Sequence, residues 1–303
     1  MQYADDTILF LQNSKKDIIN LKFILFCYEE MSRMRINYSK SEVFNVGLSE
    51  EVGQEVADAF NCKLGKFPMK YLGLPISDSR LSMAELSDAA KKMEKRLQTR
   101  KCGHLSFGGR SILIDSCLTN IPMYTMGFYW VHEGTHQRFD STRGKYFWEG
   151  VRNKKKYHMI KWEALDKPKE FRGLGFIDTR AMNSALLCKW NYRIESGKNS
   201  LCINLLRRKY LRGKGLCQSS SRGSSQFWQG LHSVKEWYER GKGYVVSGGK
   251  ETRFWKDVWL GECPLKIYFP NIFRICHDQD VSVEEASRRQ WMLDYRRNFG
   301  IKK

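Results

Sequence analysis

Beyond residue 80 the apolar side chains recur by threes and fours. Met83, Leu86, Ala90, Met93 and Leu97 share one helical face, and Lys91, Lys92, Lys95 and Arg96 take the exposed positions. That period commits most of the chain to packed helices. Further helices are expected over 135–148, 179–196 and 200–211, with a last one capped by Ser282 and Glu285. An apolar segment ends before Pro122, and Phe171-Arg172-Gly173-Leu174-Gly175-Phe176 reads as a connector. The serine-rich stretch 217–225 reads as a flexible loop. Val245-Val246, Gly248-Gly249 and Thr252 to Trp255 fit a hairpin. Before residue 80 the pattern is shorter. A strand is expected over Thr7–Leu11, then a helix over 15–33 opened by Ser14, extended pieces at Ile36–Tyr38 and Glu42–Val46, and a helix from Glu50. A strand or hairpin at Tyr71–Leu74 lies between Pro68 and Pro75. The expected class is α+β, a small β-structure followed by a mostly helical region.

Charge narrows the partners. The 303 residues carry a formal net charge of +19, although the first sixty hold ten acidic and six basic side chains. The excess therefore sits downstream, in Lys154-Lys155-Lys156, in Lys189 to Lys214 with Arg207, Arg208 and Lys209, and in Arg288 to Arg297. Aromatic residues interleave with these cations, which fits a polyanionic partner; a solvated basic face is the plainer alternative. Hydrophobic residues at 42% exclude a disordered basic tail. No apolar run nears the roughly 18 residues of a membrane span. Nine scattered cysteines without ligand spacing read as reduced, mostly buried thiols. An intracellular protein, nuclear or cytoplasmic and not secreted, is the expectation.

The sharpest local feature is Tyr3-Ala4-Asp5-Asp6 ahead of the apolar run. Adjacent carboxylates repel each other, and a divalent cation relieves the conflict, as it does where Mg²⁺ also binds substrate phosphates. On residue type alone a solvated Asp-Asp turn is the commoner reading. His132 and His136 stand four apart, but Gly134 between them argues for a loop and not a zinc helix. Gly248-Gly249-Lys250 lacks the full phosphate-loop pattern. Phe254 to Trp259 reads as hydrophobic packing with Asp257 as a local acceptor.

The chain resembles the reverse transcriptases of plant LINE-type (non-LTR) retrotransposons, from the Tyr-Ala-Asp-Asp box onward. The ordered pieces are Gln2 to Phe10, Arg35 to Glu42, Tyr71-Leu72-Gly73-Leu74-Pro75, Leu105 to Arg110, Ile121 to Tyr124, Pro168-Lys169 with Gly173 to Phe176, Asn183 to Trp190, and Phe254 to Trp259. The resemblance implies a partial polymerase palm over 1–80, a thumb-like region over 81–150, and over 151–303 a connector that precedes a zinc-binding module. It implies that Asp5 and Asp6 are two of three carboxylates of a two-metal Mg²⁺ site, with Tyr3 beside the nucleotide or primer end. Lys40 would sit near the pyrophosphate leaving group, or is a surface lysine at a strand end. Tyr71, Leu72 and Gly73 would grip the primer. Lys91, Lys92, Lys95, Arg96, Lys154, Lys155, Lys156, Arg207, Arg208 and Lys209 would follow an RNA template and DNA primer. The fingers and third aspartate of such enzymes are expected upstream of Met1, and a Cys/His cluster beyond Lys303. An inactive fragment is therefore the first expectation; a non-catalytic binding module for RNA or an RNA–DNA hybrid and a gene-fragment product without a role are the alternatives. Arg33 and Arg172 stand where the family usually has glycine.

Overall fold

The computed structural model describes residues 2–97, 105–150, 158–197 and 199–296. The chain divides into two compact units, one reaching Asp88 and one starting at Ala89. It is α+β, more than half helical with three two-stranded sheets among the described residues.

The first unit opens with β1 (Gln2–Tyr3) and β2 (Asp6–Thr7), an antiparallel pair with Tyr3 opposite Asp6. The strand expected to run to Leu11 stops at Thr7. β1 offers only Gln2 and Tyr3 for pairing among the described residues. Leu9, Phe10 and Leu11 are exposed. α1 (Lys15–Ser32) forms as expected, with the Ser14 hydroxyl accepting from the Asp17 amide at 3.1 Å. It buries none of its residues, and Ile19, Phe23, Ile24, Phe26 and Met31 are each more than half exposed. Tyr38, expected in extended chain, instead begins a turn over residues 38–40. The Asn37 side-chain oxygen accepts from the Lys40 amide and the Ser39 hydroxyl, a local bond that outcompetes a ladder. β3 (Glu42–Phe44) and β4 (Lys63–Gly65) pair in parallel, with α2 (Glu50–Ala59) as their crossover. β5 (Met69–Tyr71) and β6 (Leu74–Ile76) form a hairpin whose turn residues, Leu72 and Gly73, have φ of 50° and 82°. Two left-handed residues match the twist of paired strands.

One helix was expected from 83 to 97, and two form. α3 (Met83–Leu86) closes at Ser87, whose hydroxyl donates to the Ala84 carbonyl, and α4 (Asp88–Leu97) follows across the boundary between the units. In the second unit α5 (Phe107–Leu113) passes through a π-helical turn, Ile114–Leu118, into α6 (Asn120–Met126). The apolar segment does not end before Pro122. The π turn resets the hydrogen-bond ladder, so Pro122 falls in the first turn of α6, where its missing N–H costs little. Then come α7 (Glu133–Glu149), α8 (Trp162–Leu165), α9 (Thr179–Glu195), and α10 (Leu201–Leu206) with a second π-helical turn, Arg207–Leu211. The last elements are α11 (Gln226–Ser233), α12 (Lys235–Gly241), α13 (Leu265–Tyr268), α14 (Pro270–Ile275) and α15 (Val283–Arg288). Three apolar clusters form the interior, centred on Met93, Phe139 and Phe176, on Leu187, Trp228 and Leu231, and on Trp255, Cys276 and Ala286.

The motifs that carry the resemblance are structural joints. Asn183, fully buried on α9, donates to the Met126 and Tyr129 carbonyls at 2.7 and 3.0 Å and accepts from the Val131 amide at 2.9 Å. Trp190 Nε1 reaches the Gly127 carbonyl at 2.8 Å, so α9 is stitched to the segment after α6. Arg110 caps the end of α7 by donating to the Phe147 carbonyl at 3.0 Å. A Cβ at Gly173 would lie 1.8 Å from the Lys167 carbonyl oxygen, so only glycine fits that approach. Asp257 is the local acceptor expected, taking the Arg253 amide at 2.7 Å.

The hairpin expected over 245–255 is absent. Arg253 bridges to Ser282 instead, and the Phe254 amide donates to Val281, which draws this segment to the start of α15. Residues 220–225 are tied down and not free, since Trp228 Nε1 donates to the Ser220 carbonyl at 3.2 Å. Of the seven cysteines whose side chains are described, all free, only Cys276 is buried, Cys202 is exposed and the other five are half-buried, so the expectation of mostly buried thiols fails. Among the described residues no helix is long and apolar enough to cross a membrane.

Candidate nucleic-acid interface

The acidic hairpin is as tight as an antiparallel pair allows. Ala4 takes φ of 51° at the first turn position, so Asp5 sits at the tip and Asp6 begins β2. Tyr3, Asp5 and Asp6 are all exposed. No group of three His, Cys, Asp or Glu side chains among the described residues could share a metal ion. Asp5 and Asp6 supply two carboxylates on one turn, short of the set that two bridged Mg²⁺ ions require. Lys40 lies exposed in the turn after Asn37, and its ammonium makes no ion pair with Asp5 or Asp6. Tyr71, Leu72 and Gly73 close the β5–β6 turn, with Leu72 and Gly73 exposed and Tyr71 half-buried.

The basic candidates divide into three groups. On α4, Lys91, Lys92, Lys95 and Arg96 are exposed while Ala89, Ala90 and Met93 are buried, so the two faces expected from periodicity are present. Lys154, Lys155 and Lys156 lie outside the described residues. In the second π-helical turn Arg207 departs from expectation: its Nε donates to the Ile194 carbonyl at 2.9 Å, closing the end of α9, so it is a strut and not an open cation. Arg208 and Lys209 do face solvent.

A buried ionic cluster escaped the sequence reading. Arg143 is fully buried on α7, yet it donates to the Ile177 carbonyl at 2.8 Å and to Asp140 at 2.6 Å, and its guanidinium lies 4.9 Å from the Trp162 ring centre. Asp140 also pairs with Arg180 at 2.7 Å, and Arg180 with Glu133. Burial pushes the Asp166 carboxyl up to about 7, against the pull of Arg143. Burial also holds His136 below its usual range, where its Nδ1 bonds Thr179 Oγ1 at 2.9 Å; it lies inside α7, with His132 as that helix's cap, and not in a loop. Arginine and aspartate at i and i+3 are ordinary on a solvated helix face, so only the three-dimensional packing reveals that this pair is internal.

These features define a mainly helical α+β chain with an acidic hairpin in its first unit and exposed basic side chains in its second. No family model matches it. "Putative ribonuclease H protein At1g65750" of Arabidopsis thaliana is 27% identical over 198 residues, 63% of this chain and 32% of the relative, so the chain spans about a third of that protein's length. "Uncharacterized mitochondrial protein AtMg00310" of the same plant is 30% identical over 148 residues, 48% of this chain and 96% of the relative. The chain belongs to the family of this mitochondrial protein.

Proposed function

We propose that the chain is a retrotransposon-derived piece of a plant LINE-type reverse transcriptase that binds nucleic acid without polymerising it. The observation that carries the reading is the Tyr3-Ala4-Asp5-Asp6 hairpin, which holds two carboxylates in solvent on a turn of the kind that resemblance implies. A relative named a putative ribonuclease H protein supports kinship with proteins that act on nucleic acid. The apolar side chains that α1 leaves in solvent also support a piece of a larger whole, because a helix with apolar residues on several faces belongs in an interior. Mg²⁺, if recruited, would meet Asp5 and Asp6 alone among the candidate ligands, so the isolated chain is non-catalytic. Primer extension on an RNA template with a DNA primer and Mg²⁺ or Mn²⁺ tests this. No extension is expected; incorporation that disappears in Asp5→Asn overturns the reading. A second reading, a binding module whose ancestry is immaterial, draws on the exposed cations Arg208, Lys209, Arg212 and Lys214 of the second unit.

A further inference from the structure

Four cations, Arg208, Lys209, Arg212 and Lys214, fall within seven residues at the end of α10, and Arg222 follows on the serine loop. Buried anchors set where they stand. Arg207 is bonded inward to Ile194, and Leu211 and Leu216 are buried in the second cluster. The π-helical turn closes with the Arg212 amide donating to the Arg207 carbonyl at 3.0 Å and Arg212 itself at φ of 49°. Between the two leucines residues 212–215 project outward, and a Cβ at Gly213 or Gly215 would meet nothing within 4 Å. Tyr210 fastens the serine loop to this turn. Its ring stacks on Trp228 with centroids 4.4 Å apart, and its hydroxyl donates to Ser225 Oγ at 2.9 Å. Gly223, beside Arg222, also stands in open space.

All five cationic side chains are exposed, and among the described residues none makes an ion pair or side-chain hydrogen bond; Lys209 has only the Tyr210 ring, 5.3 Å from its centre. The single acid between residues 189 and 222, Glu195, is already shared by the Tyr238 hydroxyl and Lys242. Clustered like charges repel, and a polyanion relieves them. The aromatic residues decide which one. Single strands need open ring faces on which bases stack, but Trp228 is fully buried and covers Tyr210. Phosphates along a duplex ask for cations alone. We propose that residues 208–214, at and just after the π-helical turn, and the serine loop 220–225 form a cradle for the phosphodiester backbone of double-stranded nucleic acid, read without regard to sequence. This rests on the nucleic-acid reading above and gives it a place.

The test is fluorescence anisotropy of the full chain with a 20-base-pair duplex, as DNA and as RNA–DNA hybrid, against the matching single strand and against phosphatidylserine vesicles. Five phosphate contacts imply that affinity falls about 500-fold between 50 and 200 mM KCl, and one remaining contact about fourfold. Arg208→Gln, Lys209→Gln, Arg212→Gln and Lys214→Gln combined should therefore flatten the salt dependence to about the fourfold level. A control removing equal charge, Lys145→Gln, Lys161→Gln, Lys167→Gln and Lys250→Gln, should leave it steep. A smaller variant, Lys214→Gln with Arg222→Gln, should lower the slope by about two and keep the wild-type melting temperature. An unaltered slope in the quadruple variant, equal flattening in the control, or tighter binding to the single strand or the vesicles overturns the cradle while leaving general binding intact. Absence of all nucleic-acid binding removes the underlying reading as well.

Discussion

Arg33 ends α1 at φ of 58°, and Arg172 ends the 3-10 turn Lys169–Phe171 at φ of 63°. Both stand where the resemblance expects glycine, and both occupy the left-handed region, which costs a side chain about 1–2 kcal/mol. Replacing either with glycine removes that cost but loosens the unfolded chain by about 0.5–1 kcal/mol. The Arg172 guanidinium is exposed and makes no ion pair among the described residues, so nothing else is lost. Arg172→Gly should then stabilise the second unit by about 0.5–1 kcal/mol, a rise of about 1–4 °C in melting temperature for a unit of this size. Arg172→Ala keeps the strained φ and should give no gain. Gly175→Ala, at φ of 76°, should go the other way by about 1 kcal/mol. Differential scanning calorimetry on the three variants decides. A melting temperature lowered by Arg172→Gly, or raised equally by Arg172→Ala, refutes the argument that backbone strain and not side-chain contact sets the cost.

Asn183→Ala should cost about 3–4 kcal/mol in urea unfolding, because three buried hydrogen bonds to the segment after α6 disappear at about 1 kcal/mol each with a small cavity added. Asn183→Asp should be at least as costly, since a carboxylate would face two carbonyls; equal stability of either variant to wild type would refute the joint. Asp166 has a folded pKa of about 7, above its unfolded value, so the folded state holds the extra proton between about pH 4 and 7. Its contribution to stability is thus fully present at low pH and lost as pH rises through 7, by about 1–2 kcal/mol once solvent screening of a half-buried group is counted. The stability difference between wild type and Asp166→Asn, followed from pH 5 to 8 by thermal melts, should widen in favour of asparagine with rising pH. A difference that stays constant removes the titrating group from the account.

Much of the fold was legible in the sequence because period and capping are local properties. Ser14 and Ser282 each cap the helix their position announces. The β5–β6 turn was readable from Leu72-Gly73 between two prolines. Failures came where partners are distant in the chain. Thr7–Leu11 has strand composition, yet the strand stops at Thr7, and Thr252–Trp255 found Val281 and Ser282 in place of Val245 and Val246. The candidate site was half legible. Charge arithmetic located Arg208, Lys209, Arg212 and Lys214, yet could not tell them from Arg207, which differs only in facing the open carbonyl of Ile194. Arg222 joins them through a Tyr210–Trp228 stack that no spacing rule encodes. The buried Arg143 was invisible for the same reason.

The most direct test of the whole account is the salt dependence of binding by the unmodified chain to an RNA–DNA hybrid. A straight fall of log affinity against log salt with a slope of about −4 or steeper is expected from five unneutralised cations. Binding unchanged between 50 and 200 mM salt, or no binding at either, contradicts it.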